Sequence, residues 1–276
     1  MTKPRASRLA VHAALILYTF IAIGPILLVI MNSFKARKAI FGSPLSLPDS
    51  ETFSLVGYHS VFGKADFGLY FLNSFIVTVG SVFFVLLLGA MCAWALAEYR
   101  VKGNTLLALF MAIGIMVPIR LGTVSILRMM VDLNLVNTLF ALILVYTATG
   151  LPLAIFILNE FIQQIPKELR DAARCDGVSE YRIFYAVILP LIRPALATVA
   201  VFTMVPIWND LWFPLILANG GGKQTITLGV QQFIGQYVTD WNAVLAALTL
   251  AVAPILVLYI LFSRALVRGL TAGAVK

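Results

Sequence analysis

Four stretches of this chain run without an Asp, Glu, Lys or Arg for about the thickness of a bilayer or more: Leu9–Met31, Phe67–Ala97, Leu133–Asn159 and Trp241–Ser263. A helix needs about 20 apolar residues to cross roughly 30 Å of hydrocarbon. Two further stretches are interrupted. Gly103–Ile119 stops at Arg120 and resumes over Leu121–Leu127, and Pro194–Asn209 stops at Asp210 and resumes over Leu211–Gly222. Backbone N–H and C=O groups cannot find water inside a bilayer, so uncharged runs of this length must satisfy themselves as helices. The pattern predicts an all-α membrane protein with six transmembrane helices in one domain, residues 1–276. A soluble fold is excluded by charge: 12% of the residues are charged, against roughly 25% in ordinary soluble domains.

The N-terminus carries Lys3, Arg5 and Arg8 ahead of the first apolar run. That run is too long for a signal-peptide core and no small-residue cleavage site follows it, so it reads as a retained helix. Six spans place both termini on one side. Thirteen of the 20 Lys and Arg residues fall on that side and seven on the other, which puts both termini in the cytoplasm. The net charge of +8 suits loops facing anionic lipid and gives no reason to invoke nucleic acid. Cys92 and Cys175 are too few for a disulfide framework. His12 and His59 lie far apart with no carboxylate or thiol cluster, so no metal site is expected.

The one long charged block between spans is Pro166–Pro190. Pro166 suits a first helical turn, Glu168 favours the positive end of the helix dipole, and Asp171 and Arg174 can pair across one turn. Gly177 supplies a stop at positive φ, and Ser179 can cap a second short helix. The block reads as helix, glycine turn, helix, lying along the cytoplasmic membrane surface.

Its spacing carries a resemblance. Asp171-Ala172-Ala173, three residues, Gly177, nine residues, Val187, one residue, Leu189-Pro190 resembles the EAA loop of ABC importer permeases, with Asp171 in place of Glu and Val187 in place of Ile. Asn73-Ser74, Leu135-Val136-Asn137-Thr138, Leu151-Pro152 and Trp208-Asn209-Asp210 are similar to stretches of sugar-importer permeases. The tail Arg268–Lys276 resembles that of the shorter, maltose-type permease subunit. The resemblance implies an ABC type I importer permease fold in a bacterial inner membrane. It also implies that this chain performs no chemistry. ATP and Mg would bind to two partner ATPase subunits, a second permease subunit would complete the channel, and an extracytoplasmic solute-binding protein would deliver a sugar. Asp171, Ala172, Ala173, Gly177, Leu189 and Pro190 would form the ATPase coupling loop within 166–190, and the tail 268–276 would be cytoplasmic.

Sugar pathways set hydrogen-bonding groups beside aromatic faces. The candidates inside the spans are Tyr146, Thr147 and Thr149 in the fourth and Trp208, Asn209, Asp210 and Trp212 in the fifth. Arg120 is expected about 22 Å along the third helix, where it needs a partner or water. Asp132, Asp210 and the outer headgroups are the candidate partners. The alternative is a pathway cation for an anionic sugar derivative, sulfonated, phosphorylated or carboxylated; the runner-up substrate class is a polyol or glycerol-phosphate compound. A membrane-embedded enzyme would need paired carboxylates, a His cluster or an activated nucleophile, and the spans offer none. An ion-coupled carrier would favour intramembrane acidic relays, for which Asp210 alone is thin support.

Overall fold

The computed structural model describes residues 5–64, 66–99, 102–235 and 239–272. Among these, the backbone is helical apart from turns and two isolated antiparallel bridges, Lys35 with Phe53 and Ile234 with Thr239. The first long helix, α1, is Arg5–Ser33; α2 (Arg37–Gly42) and α3 (Val56–Lys64) lie in the loop that follows, and α4 is Phe67–Glu98. α5 (Asn104–Met116), a 3-10 turn at Ile119–Gly122 and α6 (Thr123–Asp132) come from the third apolar stretch, and α7 (Leu139–Gln163) from the fourth. The charged block forms α8 (Lys167–Cys175) and α9 (Glu180–Ile183), then a π turn at Phe184–Ile188 and α10 (Leu189–Leu191). α11 (Arg193–Asn209), α12 (Trp212–Leu217), α13 (Ile226–Gln231) and α14 (Trp241–Ala272) complete the order.

Three helices are long and apolar enough to cross a membrane by themselves: Val11–Ser33, Phe67–Glu98 and Leu139–Gln163. Two more candidates are bent pairs. Leu106–Met116 and Ile119–Asp132 meet at 88°, and Glu180–Leu191 and Arg193–Asn209 meet at 74°. α14 adds the apolar stretch Trp241–Val257. By length and composition, the described residues therefore hold three continuous candidate spans, or five if each bent pair counts as one. The tail expected at 268–276 continues α14 as far as Ala272, and residues 273–276 lie outside the described residues.

The third stretch departs from the expectation of one helix running past Arg120. Pro118 has no N–H to give and pushes its predecessor out of the helical region. Val117 accordingly takes φ −75° and ψ 121°, and α5 ends at Met116. Arg120 thus lies in the turn after the break, not deep in a continuous helix, and its side chain is 70% exposed on this chain. The fourth helix also begins later than its apolar run. Asn134 and Asn137 adopt positive φ, 55° and 60°, a conformation asparagine tolerates better than most residues. Thr138 then caps α7, its Oγ1 accepting from Ala141 N at 3.2 Å.

The chain divides into two compact units. The first combines residues 1–68 with 229–254. Its loop is organised by Lys35, which is fully buried. The Lys35 ammonium donates to Ser43 O at 2.8 Å, and Asn242 Nδ2 donates to Lys35 O at 2.7 Å. Phe34 stacks on Tyr58 at 5.1 Å, and the Tyr58 hydroxyl lies 2.8 Å from Ser33 Oγ.

The second unit combines residues 69–228 with 255–276. Here α4 and α7 approach along small residues. A Cβ on Gly89 would stand 3.0 Å from that of Ala154, and one on Gly150 would stand 2.8 Å from Val85 Cγ2. Such small-residue seams let membrane helices gain dispersion contact that lipid would otherwise supply. The loop between α12 and α13 is sewn to the start of α4. Buried Asn73 donates to Gly222 O at 2.8 Å and Gln224 O at 2.9 Å, and Ser74 Oγ accepts from Ile226 N at 2.8 Å. Asn73→Ala leaves two half-buried carbonyls unpaired and should cost about 1 kcal/mol locally. The expected readout is faster limited proteolysis within residues 219–225, with α4 still inserted.

Candidate functional site

A cavity of about 470 Å³ opens between α7, α11 and the break at Pro118, lined among others by Arg120, Tyr146, Thr149, Thr203, Asn209 and Asp210. One of its lining residues, Asp210, has a side chain 14% exposed. α11 ends at Asn209 and the chain is extended at Asp210. The Asp210 carboxylate takes up the groups this break frees, accepting from Trp212 N at 3.3 Å and Phe213 N at 3.1 Å. It also accepts from the Tyr146 hydroxyl at 2.8 Å, which joins α7 to the break. The Thr227 hydroxyl donates to Asp210 O at 2.7 Å.

The guanidinium of Arg120 approaches the same carboxylate, Nη2 to Oδ1 at 3.8 Å, and lies 5.8 Å above the Trp212 ring. Asp210 is one of the three partners the sequence offered. Trp212 is fixed in turn by its indole N–H, which donates to Thr123 Oγ1 at 2.9 Å. The two interrupted apolar stretches are thus pinned to each other at their interruptions: Arg120 and Thr123 from one, Asp210 and Trp212 from the other.

Five of the eight pathway candidates line this cavity: Arg120, Tyr146, Thr149, Asn209 and Asp210. Trp212 stands beside it under Arg120. Thr147 and Trp208 do not line it. Both are buried, at 8% and 4% exposure, and Trp208 meets Phe71 edge-on at 5.6 Å. Thr203 lines the cavity but did not stand out in the sequence. The signal was the helical spacing Thr203, Pro206, Asn209, steps of three residues that keep all of them on one side of α11. Among the described residues no group of three His, Cys, Asp or Glu is placed to hold a metal. The cavity presents hydroxyls, an amide, a carboxylate and a guanidinium among aromatic and aliphatic walls, a surface suited to a hydroxyl-rich solute.

The charged block forms a second surface. α8 starts at Lys167 with Pro166 at its cap, and Gly177 takes φ 75° as the turn requires. Val178 N closes that turn onto Ala173 O at 3.0 Å. Ser179 occupies the cap position of α9 but its side chain makes no capping bond. Arg174 Nη1 donates to Asp171 Oδ1 at 3.1 Å, the expected pair. The two alanines do not share a face. Ala172 is exposed, whereas Ala173 packs against the core formed by Trp94, Leu158, Ile183 and their neighbours. Successive helical residues point about 100° apart, and that step turns Ala173 to the core while Ala172 stays outside. The outward face carries Asp171 and Ala172, with Leu169 at 48% exposure one turn earlier. Leu189 packs against the same core, and Pro190 is half-buried in α10.

Residues 85–272, which contain both surfaces, match the family of binding-protein-dependent transport system inner membrane components. The chain belongs to this family. Among its relatives, the diacetylchitobiose uptake system permease protein NgcG of Streptomyces coelicolor is 37% identical over 96% of this chain and 88% of its own length. The arabinooligosaccharides transport system permease protein AraQ of Halalkalibacterium halodurans is 34% identical, covering 93% of this chain and 92% of its own. The fold matches a chain from the crystal structure of a bacterial ABC transporter involved in the import of the acidic polysaccharide alginate. The TM-score is 0.80 at 20% sequence identity, over 96% of this chain and 99% of that one. As an inner membrane component of a binding-protein-dependent system, this permease has a cavity within its apolar helices and a charged helical hairpin outside them.

Asp210→Ala removes the acceptor for one buried hydroxyl and two backbone N–H groups. A loss of about 1–3 kcal/mol is expected, read as a lower Tm of the detergent-purified permease. Asp210→Asn keeps an acceptor oxygen and should lose less.

Proposed function

We propose that this permease is one transmembrane subunit of an ATP-driven, binding-protein-dependent importer for a neutral oligosaccharide. The observation that carries this reading is the outward face of α8: an exposed carboxylate, a small residue and an apolar residue, followed by a turn that only a positive-φ residue can make. A helix with Ala172 at its contact point can approach another backbone closely, Leu169 supplies an apolar anchor, and Asp171 supplies an acceptor. That is what docking into a cleft of a soluble partner requires. Asp171, Ala172 and Gly177 would form the docking element, while Ala173, Leu189 and Pro190 would hold it on the body. The partner is an ATPase dimer, and its closure drives alternating access in this subunit and a second permease subunit. Six spans, reached if both bent pairs and α14 cross, would put both termini on one side, and the Lys and Arg bias makes that side the cytoplasm.

The relatives named for diacetylchitobiose and arabinooligosaccharides support an oligosaccharide as cargo. The cavity supports it chemically, because Tyr146, Thr149, Thr203 and Asn209 can exchange hydrogen bonds with sugar hydroxyls as the solute passes. The positive charge of Arg120 is already engaged by Asp210 and the face of Trp212, so the cavity does not single out an anionic sugar.

The test is uptake in proteoliposomes holding this permease, its partner permease, the ATPase and the sugar-loaded binding protein. Ala172→Arg is expected to insert normally, since the site is exposed, and to abolish ATP-driven uptake by blocking the docked helix. Gly177→Pro, which cannot reach φ 75°, is expected to do the same. Wild-type uptake by Ala172→Arg would remove the docking assignment.

A further inference from the structure

α8 must be attached to the membrane body if its displacement is to move anything. Its attachments are few. Leu169, Asp171 and Ala172 face outward, and apart from the half-buried Ala173 the residues that reach back are Arg170 and Arg174, one helical turn apart. Both end on a single carboxylate, Glu98, in the last turn of α4. Arg170 Nη1 donates to Glu98 Oε2 and Arg174 Nη2 to Glu98 Oε1 at 2.5 Å. The Glu98 side chain is 12% exposed and that of Arg170 is 4% exposed. Arg170 also lies 5.7 Å over the ring of Trp94, one turn earlier on α4.

The outer edge of this joint is closed by α9. Arg174 Nε donates to Glu180 Oε1 at 2.7 Å, and the Tyr99 hydroxyl donates to Glu180 Oε2 at 3.2 Å. The bonds to Glu180 and Glu98 raise the pKa of Arg174 above its ordinary value, so its charge is fixed. Bonds between ionised groups at such distances are short and directional, roughly twice as strong as neutral ones. Removing one partner of a buried pair leaves the other charge stranded.

α4 then carries the connection inward. Gly89 and Val85, about two and a half and three and a half turns before Glu98 on α4, meet Ala154 and Gly150 of α7, and Gly150 lines the cavity. A close-packed seam of small residues has no slack, so a tilt of α4 cannot be absorbed between the two helices.

We propose that Glu98 is the positioning residue that couples α8 to the transmembrane helices. It acts as a two-armed strut through which displacement of the docked helix becomes movement of α4 and of the cavity wall. This rests on the ATP-driven reading above, and the test separates the two. In proteoliposomes with the complete transporter, the wild-type protein must show ATP-driven, binding-protein-dependent uptake; if it does not, the functional reading fails before the strut is tested. Given that activity, Glu98→Gln is expected to leave the complex assembled with ATP hydrolysis within twofold of wild type. Uptake per ATP hydrolysed is expected to fall at least tenfold. Glu98→Asp, which keeps the carboxylate, should recover most of the coupling. If Glu98→Gln does not assemble, Arg170→Met is read by the same ratio, because its apolar stem still covers Trp94. Unchanged uptake per ATP in the variant that assembles would overturn the proposal. So would a parallel loss of uptake and hydrolysis in an assembled complex, which would mean the residue serves docking and not transmission.

Discussion

A helix broken inside hydrocarbon frees backbone groups that no water can reach, and each break must be answered by a side chain. Asp210 answers the break between α11 and α12. One carboxylate accepts from Trp212 N, Phe213 N and the Tyr146 hydroxyl and stands 3.8 Å from the Arg120 guanidinium. The cavity exists because the chain can stop being a helix at that level, and it keeps its shape because Asp210 gathers α7, α11, α12 and the turn after α5. An intramembrane charge is normally a cost. Here it is offset by the donors it collects, and the opposite charge beside it comes from the other broken stretch.

The same logic, with the solvent changed, governs the other end of the second unit. At the surface, where water competes, a single ion pair is worth little. The joint between α4, α8 and α9 escapes this by burial and multiplicity. Glu98 is nearly enclosed, two arginines share it, and the second arginine is also held by Glu180 and Asp171. The block that looked in sequence like a surface helix with a charged face is in fact anchored by part of that charge. Arg170 and Arg174 point back to the body, while Asp171 and Ala172 remain exposed.

Particular residues show what could be read in advance. The positive φ at Gly177, the Asp171–Arg174 pair and the interruption at Asp210 follow from local rules that need no tertiary context, and the structure contains all three. Periodicity alone carries a helix past Arg120, but Pro118 ends α5 and the chain then turns through 88°. Ala172 and Ala173 looked equivalent because both are small; only packing shows which one touches the core. Thr147 and Trp208 carry the right chemistry for a pathway, yet they face helix contacts, since neighbouring residues on one helix point in different directions.

The sequence by itself determined that this is a helical membrane protein, where its charged hairpin lies and which residues interrupt its spans. These follow from the cost of charges and unpaired backbone in hydrocarbon, which acts on each segment separately. Only the tertiary structure decided that Arg120 meets Asp210 and that Glu98 takes both Arg170 and Arg174. Those pairings join residues about 70 to 90 positions apart in the chain, and no local rule selects one carboxylate over another at such a distance. Packing makes that selection: Tyr146 of α7 holds Asp210 at the cavity that Arg120 also lines, and the core that Trp94 shares with Leu158 and Ala173 sets Glu98 against α8.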